Sequence, residues 1–213
     1  MTVLPATAAT ALIDFGTADT PTYNQVQFNS GLVGLNDTSA APTGWSVIVT
    51  NNGSGGFGNA GAGANVASFP ASLAGFEVSA LRDSTFSNQG TGTNPAMLLT
   101  FSGLTAGGSY DLLLYGSRAN AQSVGQQWNL VAGTGGAMVA HASELNSTVA
   151  VEWPGIVADG TGVISIQLNA NASDNIGALA LNFASITGAA LPEPSSSLLL
   201  GLAGLALVGR RKR

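Results

Sequence analysis

Short stretches in which apolar and polar residues alternate, separated by turns rich in glycine, asparagine and serine, constrain the fold of this chain most strongly. In residues 44–50 (GWSVIVT), Trp45, Val47 and Val49 fall on one face of an extended strand. Similar strand patterns lie at residues 11–15, 96–101, 110–116, 127–131, 147–153, 162–168 and 177–183. Alternation of this kind is typical of strands that bury one face, and no stretch shows a convincing helical period. The sequence therefore predicts an all-β fold, a single β-sandwich.

The composition fits one folded domain. Of the 213 residues, 45% are hydrophobic and only 8% are charged, and 29 are glycine. Disordered chains usually combine low hydrophobicity with high net charge, and this chain is long enough to bury a sizeable core. The sequence has no cysteine, which excludes a disulfide framework and any thiolate chemistry.

The charges are unevenly placed. Four of the six basic residues are the last four, Arg210, Arg211, Lys212 and Arg213. Upstream of them only two arginines oppose eleven acidic residues, so the chain without its last four residues carries a formal charge of −9. A body of this charge repels phosphate backbones, which excludes nucleic acid as a partner.

Few residue types are available for catalysis. His141 is the only histidine and Lys212 the only lysine, which excludes a multi-histidine metal site, a P-loop and a Schiff-base lysine. No Gly-x-Ser-x-Gly elbow is present, so a serine nucleophile would have to recruit His141 without local support. We therefore expect a protein that is not an enzyme.

The sequence does not exclude catalysis by a pair of carboxylates. Glycoside hydrolysis needs two acids about 5–10 Å apart, and the sequence alone cannot pair the acids of this chain. Asp111 is the most unusual acid, since it lies within a strongly apolar strand pattern. The alternative role is structural: a hydrogen bond at the start of a strand, or an interaction with Arg118.

Oxygen ligands for calcium recur in the segment NANASDN (residues 169–175), where Asn169, Asn171 and Asp174 are candidate ligands. No glutamate follows to close a twelve-residue calcium loop, because position 180 is Ala180. The alternative is an asparagine-rich turn between two strands. We expect no other cofactor.

Aromatic side chains could stack on sugar rings if they were exposed. Trp45, Trp128 and Trp153 are in register with aliphatic residues, which places them in the core. The better candidates for exposure are Tyr23, Tyr115 and Phe57, which are not clustered in the sequence.

The segment FSGLTAGGSYDLLLYG (residues 101–116) reads as a strand, a tight turn and a second strand. The spacing of Leu104, Gly107 and Tyr110 resembles the corner of sandwich folds in which a tyrosine hydroxyl bonds back to the backbone. With the opening LIDFG and the final strand, the body loosely resembles the galactose-binding-like jelly rolls. The resemblance implies a jelly-roll sandwich with a structural role for Tyr110.

The last 23 residues have three parts. We expect Pro192, Glu193 and Pro194 to form an extended, exposed motif, because the two prolines fix φ and remove two N–H donors. An apolar stretch follows, and the chain ends in the four cations Arg210 to Arg213. The stretch contains Leu198, Leu199, Leu200, Leu202, Leu205, Leu207 and Val208. As a helix, residues 195–209 would span about 22 Å, less than the roughly 30 Å of a hydrocarbon core, which predicts a short transmembrane helix held by a basic stop.

This layout resembles the PEP-CTERM sorting signal of Gram-negative bacteria. The resemblance implies export, transient anchoring in the inner membrane, processing by the membrane protease exosortase, and delivery to the cell surface or the extracellular space. It also implies a structural or adhesive role linked to exopolysaccharide or biofilm, with extracellular polysaccharide as a partner. Two alternatives are a carbohydrate-binding module and a secreted hydrolase acting on polysaccharide.

These patterns divide the chain into four parts. Residues 1–11 read as the remnant of a signal peptide or a disordered start, because they lack a positive region and a long apolar run. The sandwich is expected over 12–187, a linker over 188–191 and the sorting signal over 192–213.

Overall fold

The computed structural model of this chain describes residues 8–17, 22–28, 30–53, 56–60, 68–88, 96–118, 125–142, 146–170 and 178–189. These residues form a β-sandwich, as the alternating pattern predicts. The strands are β1 (Ala8–Phe15), β2 (Asn24–Val26), β3 (Val33–Asn36), β4 (Pro42–Asn51), β5 (Gly56–Ala60), β6 (Ser84–Asn88), β7 (Ala96–Ser102), β8 (Ser109–Tyr115), β9 (Gly125–Ala132), β10 (Val139–Ala142), β11 (Val151–Val157), β12 (Ile164–Ala170), β13 (Ala178–Leu181) and β14 (Phe183–Ala189). Two short helices, a 3-10 turn (Ala71–Leu73) and α1 (Val78–Arg82), lie between β5 and β6.

Two large sheets make the sandwich. The five-stranded sheet has the order β11-β8-β14-β1-β2, and the six-stranded sheet has the order β10-β9-β12-β7-β4-β3. The paired strands are antiparallel except for β1 and β2, which run parallel. From β7 onward the chain passes repeatedly from one large sheet to the other, as in jelly-roll sandwiches. A smaller sheet, in the order β13-β6-β5, lies beside them and was not predicted.

The core lies between the two large sheets and follows the alternation seen in the sequence. Trp45, Trp128 and Trp153 are 1%, 0% and 4% exposed, so all three tryptophans are core residues as predicted. On β12, Ile164, Ile166 and Leu168 face inward, as the period of two requires.

The turn between β7 and β8 closes through Tyr110. The Thr105 amide donates a hydrogen bond to the Tyr110 hydroxyl at 2.8 Å, which is the bond back to the backbone that the spacing implies. Gly107 has φ +68°, a conformation that favours glycine, and the Tyr110 ring packs edge-on against Trp45 with 5.6 Å between centroids. The corner thereby fixes the start of β8.

The first strand begins earlier than residue 12, where the sequence places the start of the sandwich. β1 begins at Ala8, which pairs with Ala189 of β14, and Ala9 and Ala11 face the core. The difference arises because alanine contributes little to a hydrophobic pattern, although it suits a closely packed face. The sheet therefore also extends past residue 187, into the expected linker.

The predicted sorting signal falls outside the described residues. This applies to Pro192, Glu193 and Pro194, to the apolar stretch and to the basic end. In the part of the chain that the structure describes, no helix has the length and apolar character needed to cross a membrane.

Candidate functional site

The outward face of the five-stranded sheet carries a patterned set of side chains. Strand register aligns them in rows, because directly paired residues point to the same side of a sheet. One row joins Asp111 of β8 to Thr187 of β14 and Thr10 of β1. The next row runs through Glu152 of β11, Leu113 of β8, Ser185 of β14 and Leu12 of β1.

The segment between β5 and β6 covers one end of this face. Phe69, Leu73 and Phe76 pack on Tyr115 and Phe183, which form the row beyond Leu113 and Ser185. The rings of Phe76 and Phe183 are 4.6 Å apart between centroids, and those of Phe69 and Tyr115 are 6.0 Å apart. The covering segment does not extend to the Asp111 end of the sheet. Its edge, which includes Ser72, forms one wall of a depression over the part of the face that stays uncovered.

We call this depression the sheet-face cleft. Its volume is about 390 Å³, within the range of about 300–1,000 Å³ that is common for small-molecule sites. Its lining includes Ser72, Asp111, Leu113, Glu152, Ser185 and Thr187. Ser72 comes from the covering segment and the others from three neighbouring strands, so the rigid sheet positions most of the lining.

A bulge in β11 holds Asp111 in place. The pairing of β11 with β8 shifts register between Trp153 and Ile156, and Gly155 within the bulge has φ +69°. The Gly155 amide donates a hydrogen bond to Oδ1 of Asp111 at 2.8 Å. This is the structural role weighed for Asp111 in the sequence, although the partner is a backbone amide, whereas Arg118 lies over the Phe86 ring at 3.7 Å.

Ser185 lies on the floor of the cleft between Leu113 and Leu12. Its side chain faces outward on β14, since Ala184 and Ile186 on either side belong to the core. Only 8% of the residue is exposed, and its hydroxyl makes no hydrogen bond within the described residues. Because Ser185 lines the cleft, its hydroxyl is accessible to a ligand that enters.

The remaining polar groups lie around this floor. The hydroxyls of Thr10 and Thr187 bond to one another at 2.9 Å, so Thr187 keeps lone pairs that a ligand donor can reach. Glu152 is exposed on β11 directly opposite Leu113. Pro154 and Leu113 add apolar surface, and Trp153 also lines the cleft although it is only 4% exposed.

The aromatic residues proposed for stacking do not line this cleft. Tyr115 is buried, contrary to the prediction, because the covering segment packs over the face on which it points outward. Its hydroxyl donates to the carbonyl oxygen of Asn146, and burial raises the pKa of Tyr115 to about 12. Tyr23 is half-buried and accepts a hydrogen bond from the Glu77 amide, and Phe57 packs on Phe28.

The calcium prediction stays untested. Asn169 lies on β12, but Asn171 and Asp174 are outside the described residues. Across the described ranges, no three His, Cys, Asp or Glu side chains come together as a metal site. Glu152 and Ser185 were not singled out in the sequence, because their link to Asp111 depends on strand pairing.

Comparison with known proteins gives only distant likenesses. No family model and no curated protein matches the chain. Among solved structures, it is similar to the enzymatically active domain of tailspike protein 4 from bacteriophage CBA120, with 12% identity over 67% of this chain and a TM-score of 0.35. This chain spans only 19% of that tailspike chain.

Two other similar structures are carbohydrate-binding modules. TmCBM61, solved in complex with β-1,4-galactotriose, is 14% identical over 65% of this chain and 86% of its own, with a TM-score of 0.38. CBM35 from Cellvibrio japonicus Abf62 is 15% identical over 67% of this chain and 93% of its own, with a TM-score of 0.32. Identities and TM-scores this low carry no argument about function.

Proposed function

We propose that this chain is an exported carbohydrate-binding protein whose binding site is the sheet-face cleft. The observation that carries the proposal is the Ser185 hydroxyl, 8% exposed on the cleft floor and without a hydrogen-bond partner in the described structure. Sugar hydroxyls both donate and accept hydrogen bonds, so they suit a lining of hydroxyls and carboxylates. The C–H face of a sugar ring would contact Leu113 and Pro154.

Cleavage of a polysaccharide is the second candidate function, because the cleft holds two carboxylates. Asp111 is diagonal to Glu152 across β8 and β11, and diagonal neighbours are about 7–8 Å apart, within the range of inverting glycosidases. However, a general acid of that mechanism is usually desolvated by apolar neighbours. Both side chains are exposed, so we favour binding without cleavage.

The first test measures binding of neutral tetrasaccharides, such as cellotetraose and the N-acetylglucosamine tetramer, by calorimetry. Ser185→Ala removes the floor hydroxyl and should weaken binding about 2- to 10-fold, the effect of one hydrogen bond. Its melting temperature should not change, because the hydroxyl has no partner in the described structure.

Ser165→Ala is the matched control. Ser165 is also 8% exposed on an outward sheet face, but it belongs to the six-stranded sheet and bonds to Thr100. Unchanged affinity in Ser165→Ala with weaker binding in Ser185→Ala supports the site. If the wild type binds no saccharide, the proposal is wrong. If new reducing ends form during the titration, the saccharide is being cleaved, and that result would favour the hydrolase.

The route by which the protein would be exported is inferred from its sequence alone. We propose that the PEP-CTERM-like tail directs export and processing by exosortase, with the inner membrane as a transient anchor. The sandwich would then act at the cell surface or in an extracellular matrix rich in polysaccharide. A polysaccharide ligand and this route fit together, because the ligand would be found where the tail delivers the protein.

The test of this route is the intact mass and the cell fraction of the protein in its native host. A Glu193→Ala/Pro194→Ala variant should remain full-length in the inner membrane, while the wild type loses its tail and leaves that fraction. Ser195→Ala/Ser196→Ala, which changes the next two small residues, should behave as the wild type. Full-length protein in the same fraction for all three would contradict processing.

A further inference from the structure

We propose that the sheet-face cleft prefers saccharides that carry free amino groups and rejects saccharides that carry acidic groups. The inference rests on the proposed function and names its ligand class. Its basis is that Asp111 and Glu152 both face into the cleft, while no Lys or Arg lines it within the described ranges.

The two carboxylates have unused acceptor capacity. The Gly155 amide occupies Oδ1 of Asp111, and within the described residues Oδ2 accepts no hydrogen bond. Glu152 forms no hydrogen bond or ion pair in the same part of the chain. An ammonium group has three donors and a positive charge, so it matches such a pair better than a neutral hydroxyl does.

The Ser185 hydroxyl is a second, independent feature of the cleft that suits a bound ligand. It is more than nine-tenths buried, unpartnered in the described structure and turned into the same cleft. Acidic side chains on a flat surface would be solvated and would select nothing. Here they stand beside a floor that already offers a hydrogen-bonding group to a bound molecule.

The charge of the whole protein acts in the same direction. The chain without its last four residues carries −9, and the strands of the six-stranded sheet, as described, contain no Asp, Glu, Lys or Arg. The strands of that sheet therefore add no charge of their own to the negative field, whereas the cleft contributes two carboxylates. This field should attract a polycationic saccharide and repel a polyuronate, and added salt should weaken both effects.

The test compares three β-1,4-linked tetramers of similar length by calorimetry in low-salt buffer. They are the glucosamine tetramer with free amines, the N-acetylglucosamine tetramer and a mannuronate tetramer. We expect the free-amine tetramer to bind about 2- to 5-fold more tightly than its acetylated counterpart, the range for exposed charge pairs. The mannuronate tetramer should bind most weakly, and the amine preference should fall in high salt.

Variants of the two acidic residues test whether the amine preference arises in the cleft. Glu152→Gln and Asp111→Asn should each reduce the amine preference while the acetylated tetramer still binds, since the introduced asparagine side chain would keep an oxygen for the Gly155 amide. Glu77→Gln makes the same charge change at an exposed residue outside the cleft lining and should leave the preference intact.

Failure of carbohydrate binding and failure of the amine preference would give different results. If no tetramer binds, the proposed carbohydrate-binding function fails. If the acetylated or the acidic tetramer binds as tightly as the free-amine tetramer, binding stands and the amine preference is wrong. An amine preference that Glu77→Gln removes as fully as Glu152→Gln would also overturn the assignment, because it would then reflect total charge alone.

Discussion

Single residues decide which part of the outward face is packed and which part is open. Tyr115 and Asp111 lie on the same face of β8, four residues apart. Tyr115 is fully buried beneath the covering segment, whereas Asp111 is exposed in the cleft. The aromatic end of β8 is thus packed into the fold, whereas the acidic end stays exposed.

The burial of Tyr115 predicts that the fold loses stability at alkaline pH. Burial disfavours the phenolate and raises the pKa of Tyr115 to about 12 in the folded chain, against 10.0 for a tyrosine in water. A raised pKa for a group that is neutral when protonated means that its stabilising contribution is intact below pH 10.0 and is lost as the pH rises toward 12.

Tyr115→Phe should therefore flatten the fall in melting temperature above pH 10.0. At neutral pH it should lower stability by about 1 kcal/mol, because the hydrogen bond to Asn146 is lost. Thermal unfolding across the alkaline range checks this prediction. An alkaline profile identical to that of the wild type would show that Tyr115 does not titrate with unfolding.

At the scale of elements, one side chain completes the pairing of a strand. Gln126 is fully buried at the start of β9, and its amide bonds to both backbone groups of Ala180 in β13. The Gln126 nitrogen donates to the Ala180 carbonyl at 2.9 Å, and its oxygen accepts from the Ala180 amide at 3.0 Å. The Gln126 side chain thereby makes the two hydrogen bonds to Ala180 that a paired strand would make. These bonds join the small sheet to the six-stranded sheet.

Gln126→Glu should destabilise the fold, because it turns the donor that faces the Ala180 carbonyl into an acceptor and buries a charge. We expect a loss of about 2–4 kcal/mol in the free energy of unfolding, measured with urea. Gln127→Glu is the control, since the adjacent side chain is partly exposed. Equal losses in the two variants would contradict the role assigned to Gln126.

At the scale of the whole molecule, the sequence predicts the sandwich and its core but not the site. The burial of Trp45, Trp128 and Trp153 follows from local alternation, which needs no knowledge of strand order. The cleft depends on which strands become neighbours, and Glu152 meets Asp111 only because β11 pairs with β8. Ser185 carries no local signal, since a serine at an outward position is ordinary in any strand.

The wrong prediction for Tyr115 has the same origin. A period of two places Tyr115 on the outward face of β8, and this placement is correct. Its burial comes from residues 68–82, about forty positions earlier in the chain, whose aromatic side chains give no sequence sign of where they pack. Contacts between distant segments, rather than the pattern within a strand, decide the environment of an outward residue.

The measurement that tests the central claim most directly is a titration of the isotope-labelled protein with the glucosamine tetramer, followed by amide NMR spectra. Binding in the sheet-face cleft predicts shifts concentrated at Leu113, Gly155 and Ser185. The amides of Thr100 and Ser165, on the outward face of the six-stranded sheet, should not move. Shifts confined to that second sheet, or no shifts at all, would contradict the claim that this cleft is the ligand site.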